Sequence, residues 1–81
     1  MNELSINIVH PMDGRVISVT LDSSMTPNEI IRELISHEFI GTEIYSLGIK
    51  GGHILDLYKS IYQSGVKDND TLRIIPSVCA G

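Results

Sequence analysis

Few residues of this 81-residue chain have the types and spacing to do chemistry, and the most informative stand together at Pro76-Ser77-Val78-Cys79-Ala80-Gly81. Glycine lacks a Cβ, so its backbone threads a narrow channel and offers its carboxylate to an activating enzyme without steric hindrance. The chemistry this predicts is at the carboxyl terminus, on Gly81, with Ala80 and Cys79 next to it. The same six residues also read as an ordinary chain end. Cys79 is the sole cysteine. It reads either as a thiol for intermolecular reaction or as a small side chain without a role, and the absence of a neighbouring His, Lys or Arg to stabilise a thiolate favours the second.

No other group forms a reactive constellation. His10, His37 and His53 fall in a turn, at a helix end and at a loop edge, and none is spaced for metal or catalysis. Gly51-Gly52 lacks the Gly-x-x-x-x-Gly-Lys spacing of a phosphate loop and reads as a turn between two strands. Asp68 and Asp70 flank Asn69 and read as turn formers. With no nucleophile beside a base, an enzyme with its own active site is not expected.

The elements that must position the tail follow from periodicity. Leu4, Ile6 and Ile8 alternate with Ser5 and Asn7, and Ile17, Val19 and Leu21 alternate with Val16, Ser18 and Thr20, which predicts two half-buried strands. His10-Pro11-Met12-Asp13-Gly14 between them predicts a hairpin. Thr26-Pro27-Asn28-Glu29 is a capping-box signature: a hydroxyl N-cap, proline in the first turn and glutamate at N3. Ile30, Ile31, Leu34 and Ile35 recur at helical spacing after it, and Gly41 is the expected left-handed stop. Residues Ile44 to Ile49 and His53 to Leu57 read as short strands. Thr71 to Ile75 reads as a last strand, ended by Pro76. The order predicted is ββαβββ, an α+β domain at residues 1–75 followed by a tail at 76–81.

Composition limits the partners. The chain is 42% hydrophobic, enough for one modest core, and its net charge of -4 with scattered Lys and Arg argues against nucleic acid. A single cysteine permits no intrachain disulfide, and neither a signal peptide nor a membrane-length apolar run is present in the sequence, so a cytoplasmic protein without metal or other cofactor is expected.

The hairpin, the capped helix, the Gly65-Val66-Lys67-Asp68-Asn69-Asp70-Thr71-Leu72-Arg73-Ile74 run and the glycine-ended tail together resemble ubiquitin. The likeness covers nearly the whole chain and is most specific over Ser60 to Leu72. It implies a β-grasp fold, a mixed sheet packed on one helix. Among ubiquitin-like proteins the chain is most similar to bacterial ones, both the small components of type VII secretion systems and the modifiers encoded beside activating and conjugating enzymes. Secretion-type members generally stop near the last strand, so the extension to Gly81 resembles the modifiers. The resemblance then implies adenylation of Gly81, capture by an enzyme nucleophile and transfer to target proteins, with a processing peptidase where Gly81 is exposed by cleavage. The family pattern ends in Gly-Gly, and Ala80 departs from it. Two alternatives stand beside this one: a non-conjugated interaction or secretion module, and a sulfur carrier whose Gly81 becomes a thiocarboxylate.

Recognition is expected on the sheet. Leu72 and Ile74 should point into the core and leave Arg73 and Ile75 outside, where Tyr45 or Leu47 of the adjoining strand would complete an apolar patch resembling the ubiquitin recognition face. The same patch offers a route to homo-oligomers.

Overall fold

The computed structural model describes residues 3–77. The elements run β1 (Glu3–Val9), β2 (Val16–Asp22), α1 (Pro27–Ser36), β3 (Tyr45–Ile49) and β4 (Thr71–Pro76). The four strands form one sheet in the order β2-β1-β4-β3, with β1 parallel to β4 and the other two pairs antiparallel. This is the α+β architecture expected from the sequence, a mixed sheet packed on one helix.

The first hairpin forms where Pro11 and Asp13-Gly14 predict it. The His10 N–H donates to the Arg15 carbonyl at 2.7 Å, and Gly14 adopts φ +73°, a value that L side chains rarely tolerate. Ile6 and Ile8 of β1 are fully buried, whereas Ile17, Val19 and Leu21 of β2 are only half-buried because β2 lies at the sheet edge.

Thr26 caps α1 as its sequence signature requires. Its Oγ1 accepts from the Glu29 N–H at 3.2 Å, and Glu29 Oε1 accepts from the Thr26 N–H at 3.0 Å. The two orphan donors are satisfied reciprocally. Ile30, Ile31 and Leu34 then face the sheet, joining Ile6, Ile8, Leu47, Leu72 and Ile74 in one core.

The helix ends differently from expectation. Gly41 is not the left-handed residue; Glu38 is, at φ +60°. The Phe39 N–H donates to Leu34 and the Glu38 N–H to Ile35, both at 3.0 Å, which is the paired pattern of a Schellman stop. Stopping there turns Phe39 back onto the sheet, where its ring meets His10 edge-on at 5.0 Å and the Arg15 guanidinium lies 5.3 Å from its centre.

A second correction concerns His53 to Leu57, which is not a strand. It contributes one isolated bridge, Gly48 to Ile54, flanked by an Ile49 N–H bond to His53 at 3.1 Å and a Leu55 N–H bond to Leu47 at 2.8 Å. The segment then bends away because the Asp56 carboxylate accepts the Tyr58 N–H at 2.9 Å. The described order is therefore ββαββ.

The turn before β4 is tied to β1. Asp68 accepts the Ser5 N–H at 2.7 Å, Asn69 donates its N–H to the Ser5 carbonyl at 2.6 Å, and the Asn7 N–H reaches Asp70 at 2.9 Å. These bonds set the parallel register that brings Val9 beside Arg73. Pro76 ends the strand as expected, although it is itself the last paired residue, opposite Tyr45.

Candidate functional site

Strand alternation divides every strand between the helix side and the open side of the sheet. On the open side the registers align Val16 with Val9, Val9 with Arg73, and Arg73 with Gly48, and the bridge adds Ile54 opposite Gly48. Arg73 is exposed and Ile75 half-buried, while Leu72 and Ile74 are buried, as the sequence predicts for β4. The Ile75 side chain lies over Gly48: a Cβ built on that glycine would stand 3.1 Å from Ile75 Cδ1. A side chain at position 48 would push the end of the isoleucine outward by a few tenths of an ångström.

Tyr45 and Leu47 do not belong to this face. They are 7% and 0% exposed, respectively, within the core. The cause is register: Leu47 stands opposite the buried Ile74, so the odd-numbered residues of β3 share the helix side, and Ser46 and Gly48 take the outside, opposite Ile75 and Arg73. The apolar residues that flank Arg73 and Ile75 instead are Ile54, 61% exposed, and Val16, 58% exposed. Val16 was legible as the one apolar residue on the polar side of β2. Ile54 was not, because its segment has only a single bridge to the sheet.

Where β4 ends, the face closes into a shallow hollow of about 330 Å³ between Val9, His10, Pro11, Arg73, Ile75 and Pro76. Its wall is the first turn, held by local bonds. His10 Nδ1 accepts the Met12 N–H at 3.0 Å and the Asp13 N–H at 3.3 Å, and Asp13 holds the Arg15 guanidinium at 2.8 Å. The Arg15 backbone N–H, with the Arg15 guanidinium behind it, keeps the Asp13 carboxyl below its ordinary value of 3.8.

The tail leaves beside this hollow. The Ser77 N–H donates to the Ile44 carbonyl at 2.9 Å, and Ile44 is 71% exposed at that corner. Cys79, Ala80 and Gly81, the predicted reacting end, lie outside the described residues. The remaining candidates are structural where the sequence reading placed them: Gly51 makes its turn with φ +76°, and Asp68 and Asp70 accept backbone N–H groups. Among the described residues no group of three His, Cys, Asp or Glu could hold a metal ion, and no helix is long and apolar enough to cross a membrane.

No family model and no curated protein matches the chain. Solved structures do. Caldiarchaeum subterraneum ubiquitin superposes with a TM-score of 0.76 at 20% identity, over 99% of this chain and 100% of that one. A designed protein based on ubiquitin gives 0.75 at 20% identity, covering 98% and 95%. The UBL domain of yeast Ddi1 gives 0.73 at 18% identity, covering 98% and 94%. The chain has the ubiquitin-like β-grasp fold.

Proposed function

We propose that this protein is a ubiquitin-like modifier of the bacterial type, activated at Gly81 in the cytoplasm and conjugated to target proteins. The observation that carries the reading is the way the fold ends. The last strand lies second from the sheet edge, between β1 and β3, and is fixed to Ile44 through Ser77, and four more residues of sequence lead to Gly81. Four residues span at most about 14 Å, enough to carry a carboxylate from the sheet rim into a neighbouring enzyme.

A carboxylate is a poor electrophile. In this reading the Gly81 carboxylate attacks the α-phosphorus of a nucleoside triphosphate on the activating enzyme, and pyrophosphate leaves. An enzyme thiolate then attacks the mixed anhydride, forming a thioester and releasing the nucleoside monophosphate. An amine of the target displaces the thiol and yields an amide. The chain supplies the acyl group, and the catalytic groups belong to its activating and conjugating enzymes. Ala80, where the family pattern has glycine, calls for an activating enzyme whose channel admits one more methyl group.

A second reading has its own observation. The outer face of Arg73, Ile75, Val16 and Ile54 is an exposed apolar row around one cation, and a face of this composition suits non-covalent recognition without any use of the tail. In yeast Ddi1 the same fold serves as a UBL domain of that protein.

One experiment separates the two. The N-terminally tagged chain and a version lacking Gly81 are expressed with the proteins encoded beside the gene, then resolved on denaturing gels with intact-mass measurement. Adducts that vanish with Gly81 support the modifier. The absence of adducts from both versions, with equal capture of a partner that Arg73→Glu releases, overturns it in favour of the non-covalent module.

A further inference from the structure

A hollow of about 530 Å³ lies where the start of β1, the loop between β2 and α1, and residues 62–68 meet. Because β1 runs parallel to β4, this is the end of the sheet opposite to Ser77. Hydrogen bonds tie the three segments together. The Tyr62 N–H donates to the Ser23 carbonyl at 3.1 Å, and the Asp68 carboxylate accepts the Ser5 N–H at 2.7 Å. The hollow is therefore formed before anything enters it, which keeps the ordering cost of binding low.

Its surfaces differ in kind. Leu4 and the buried Val66 give an apolar floor, and Tyr62, 68% exposed, raises an aromatic wall beside it. Ser23 lines the same hollow and is the one buried polar residue among those described, at 7% exposure. A buried hydroxyl is ordinarily bonded, yet that of Ser23 has no partner among the described residues. Since no sealed side-chain N or O among them lacks a partner, this hydroxyl opens onto the hollow and is free to bond a group that enters.

Negative charge gathers there as well. Glu3 and Asp68 line the hollow, Asp22 stands opposite Glu3 in the strand register, and Asp70 accepts the Lys67 N–H at 2.9 Å in the adjoining turn. Lys67 is the one base in the lining, and among the described residues it is paired with none of these carboxylates, the ion pairs being those of Asp13. One Asp68 oxygen is turned to Ser5, which leaves the other for a ligand.

We infer that this hollow binds an arginine side chain of a partner protein, with the guanidinium stacked on Tyr62 and donating to Asp68 and the Ser23 hydroxyl while its methylenes cover Leu4 and Val66. A planar cation with several donors engages a ring, a carboxylate and a hydroxyl at once, whereas an ammonium is a hydrated point charge that suits only the carboxylate. The surplus of carboxylates over Lys67 rejects an anion. The inference does not rest on Gly81, because the strand that leads to it leaves the sheet at the other end.

The test is an amide-resolved NMR titration of the full chain with acetyl-AARAA-amide, acetyl-AAKAA-amide and acetyl-AAEAA-amide. The arginine peptide is expected to give saturable shifts at Ser23, Tyr62, Lys67 and Asp68, the lysine peptide to bind more weakly, and the glutamate peptide to leave these amides unmoved. Tyr62→Ala should weaken the arginine peptide about threefold, as loss of an exposed cation–π contact does, and Tyr62→Phe should retain it. Asp68→Asn should weaken it about fivefold, as loss of an exposed ion pair does. The asparagine oxygen still accepts the Ser5 N–H, so unchanged Ser5 and Asn69 amides in the free variant will report an intact turn. The inference fails if no peptide gives saturable shifts at these amides, if the lysine or glutamate peptide matches the arginine peptide, if Asp68→Asn binds as the parent does, or if the shifts fall on Glu33 and His37. It also fails if the chain alone shows the same shifts on concentration and sediments as a dimer, which would make a second copy the occupant.

Discussion

The two edges of the sheet are built from similar strands and end differently. Beyond β3, residues 53–55 return, bond to Ile49 and Leu47, and cover the edge, and Leu47 is fully buried. Beyond β2 nothing among the described residues returns, and Val19, its counterpart on the helix side, stays half-buried. The covered edge begins at Tyr45, next to the Ser77 N–H bond to the Ile44 carbonyl. The open edge has unspent hydrogen-bonding capacity. An edge strand is stable in either state, and the difference marks which side of the molecule is free to pair.

Truncating one residue on each side tests this contrast. Leu47→Ala should destabilise by about 3 kcal/mol, since the leucine is sealed on all sides, and Val19→Ala by about 1 kcal/mol, since its side chain already partly meets solvent. Equal losses in chemical denaturation would show that the β2 edge is as well packed as β3. Gly48→Val sharpens the covered side. The new Cβ would crowd Ile75 Cδ1 at 3.1 Å, so a loss of about 2 kcal/mol is expected, together with displacement of Ile75 visible as methyl shifts.

Glu38→Gly, near the turn where Phe39 reaches back to β2's hairpin, should act in the opposite direction. The left-handed φ of +60° strains a glutamate and not a glycine, and relief is expected to stabilise by about 1 kcal/mol. A melting temperature that falls would mean that the glutamate side chain contributes more than the strain it carries.

The smallest expected effect is on pH. Asp13 and Asp22 sit at the two ends of β2 and both titrate below their ordinary value of 3.8, chiefly through backbone N–H donors at Arg15 and Ser24. A carboxyl whose pKa is lowered by folding stabilises the fold fully above its unfolded value and loses that contribution as pH falls through the folded value. Stability should therefore be flat from neutrality to about pH 5 and decline below about pH 4. Asp13→Asn combined with Asp22→Asn should flatten that decline while leaving β3 and β4 amides unchanged.

Much of this was written locally in the chain. The capping box needs only Thr26 and Glu29 three residues apart, and the first turn needs only Pro11 and Gly14, so both were legible. So was the outward placement of Arg73 and Ile75, because alternation within β4 is a property of the strand itself. The outer-face role assigned to Tyr45 and Leu47 failed although Tyr45, Leu47 and Ile49 alternate with Ser46 and Gly48. Alternation gives two faces and leaves their phase to the neighbour, and that phase was set by Leu47 meeting Ile74. Glu38 carried no signal at all: a glutamate takes the left-handed position because Phe39 must turn onto His10, a contact made across the fold.

By itself, then, the sequence determined the first hairpin, the N-terminal cap of α1 and the alternation within each strand, since these depend on neighbours within a turn or two. Only the tertiary structure decided which side of β3 is buried, that residues 53–57 bridge to the sheet without forming a strand, and that β2 is left open while β3 is covered. Those outcomes depend on register and on what packs against each edge, and both are set by contacts between residues far apart in the chain.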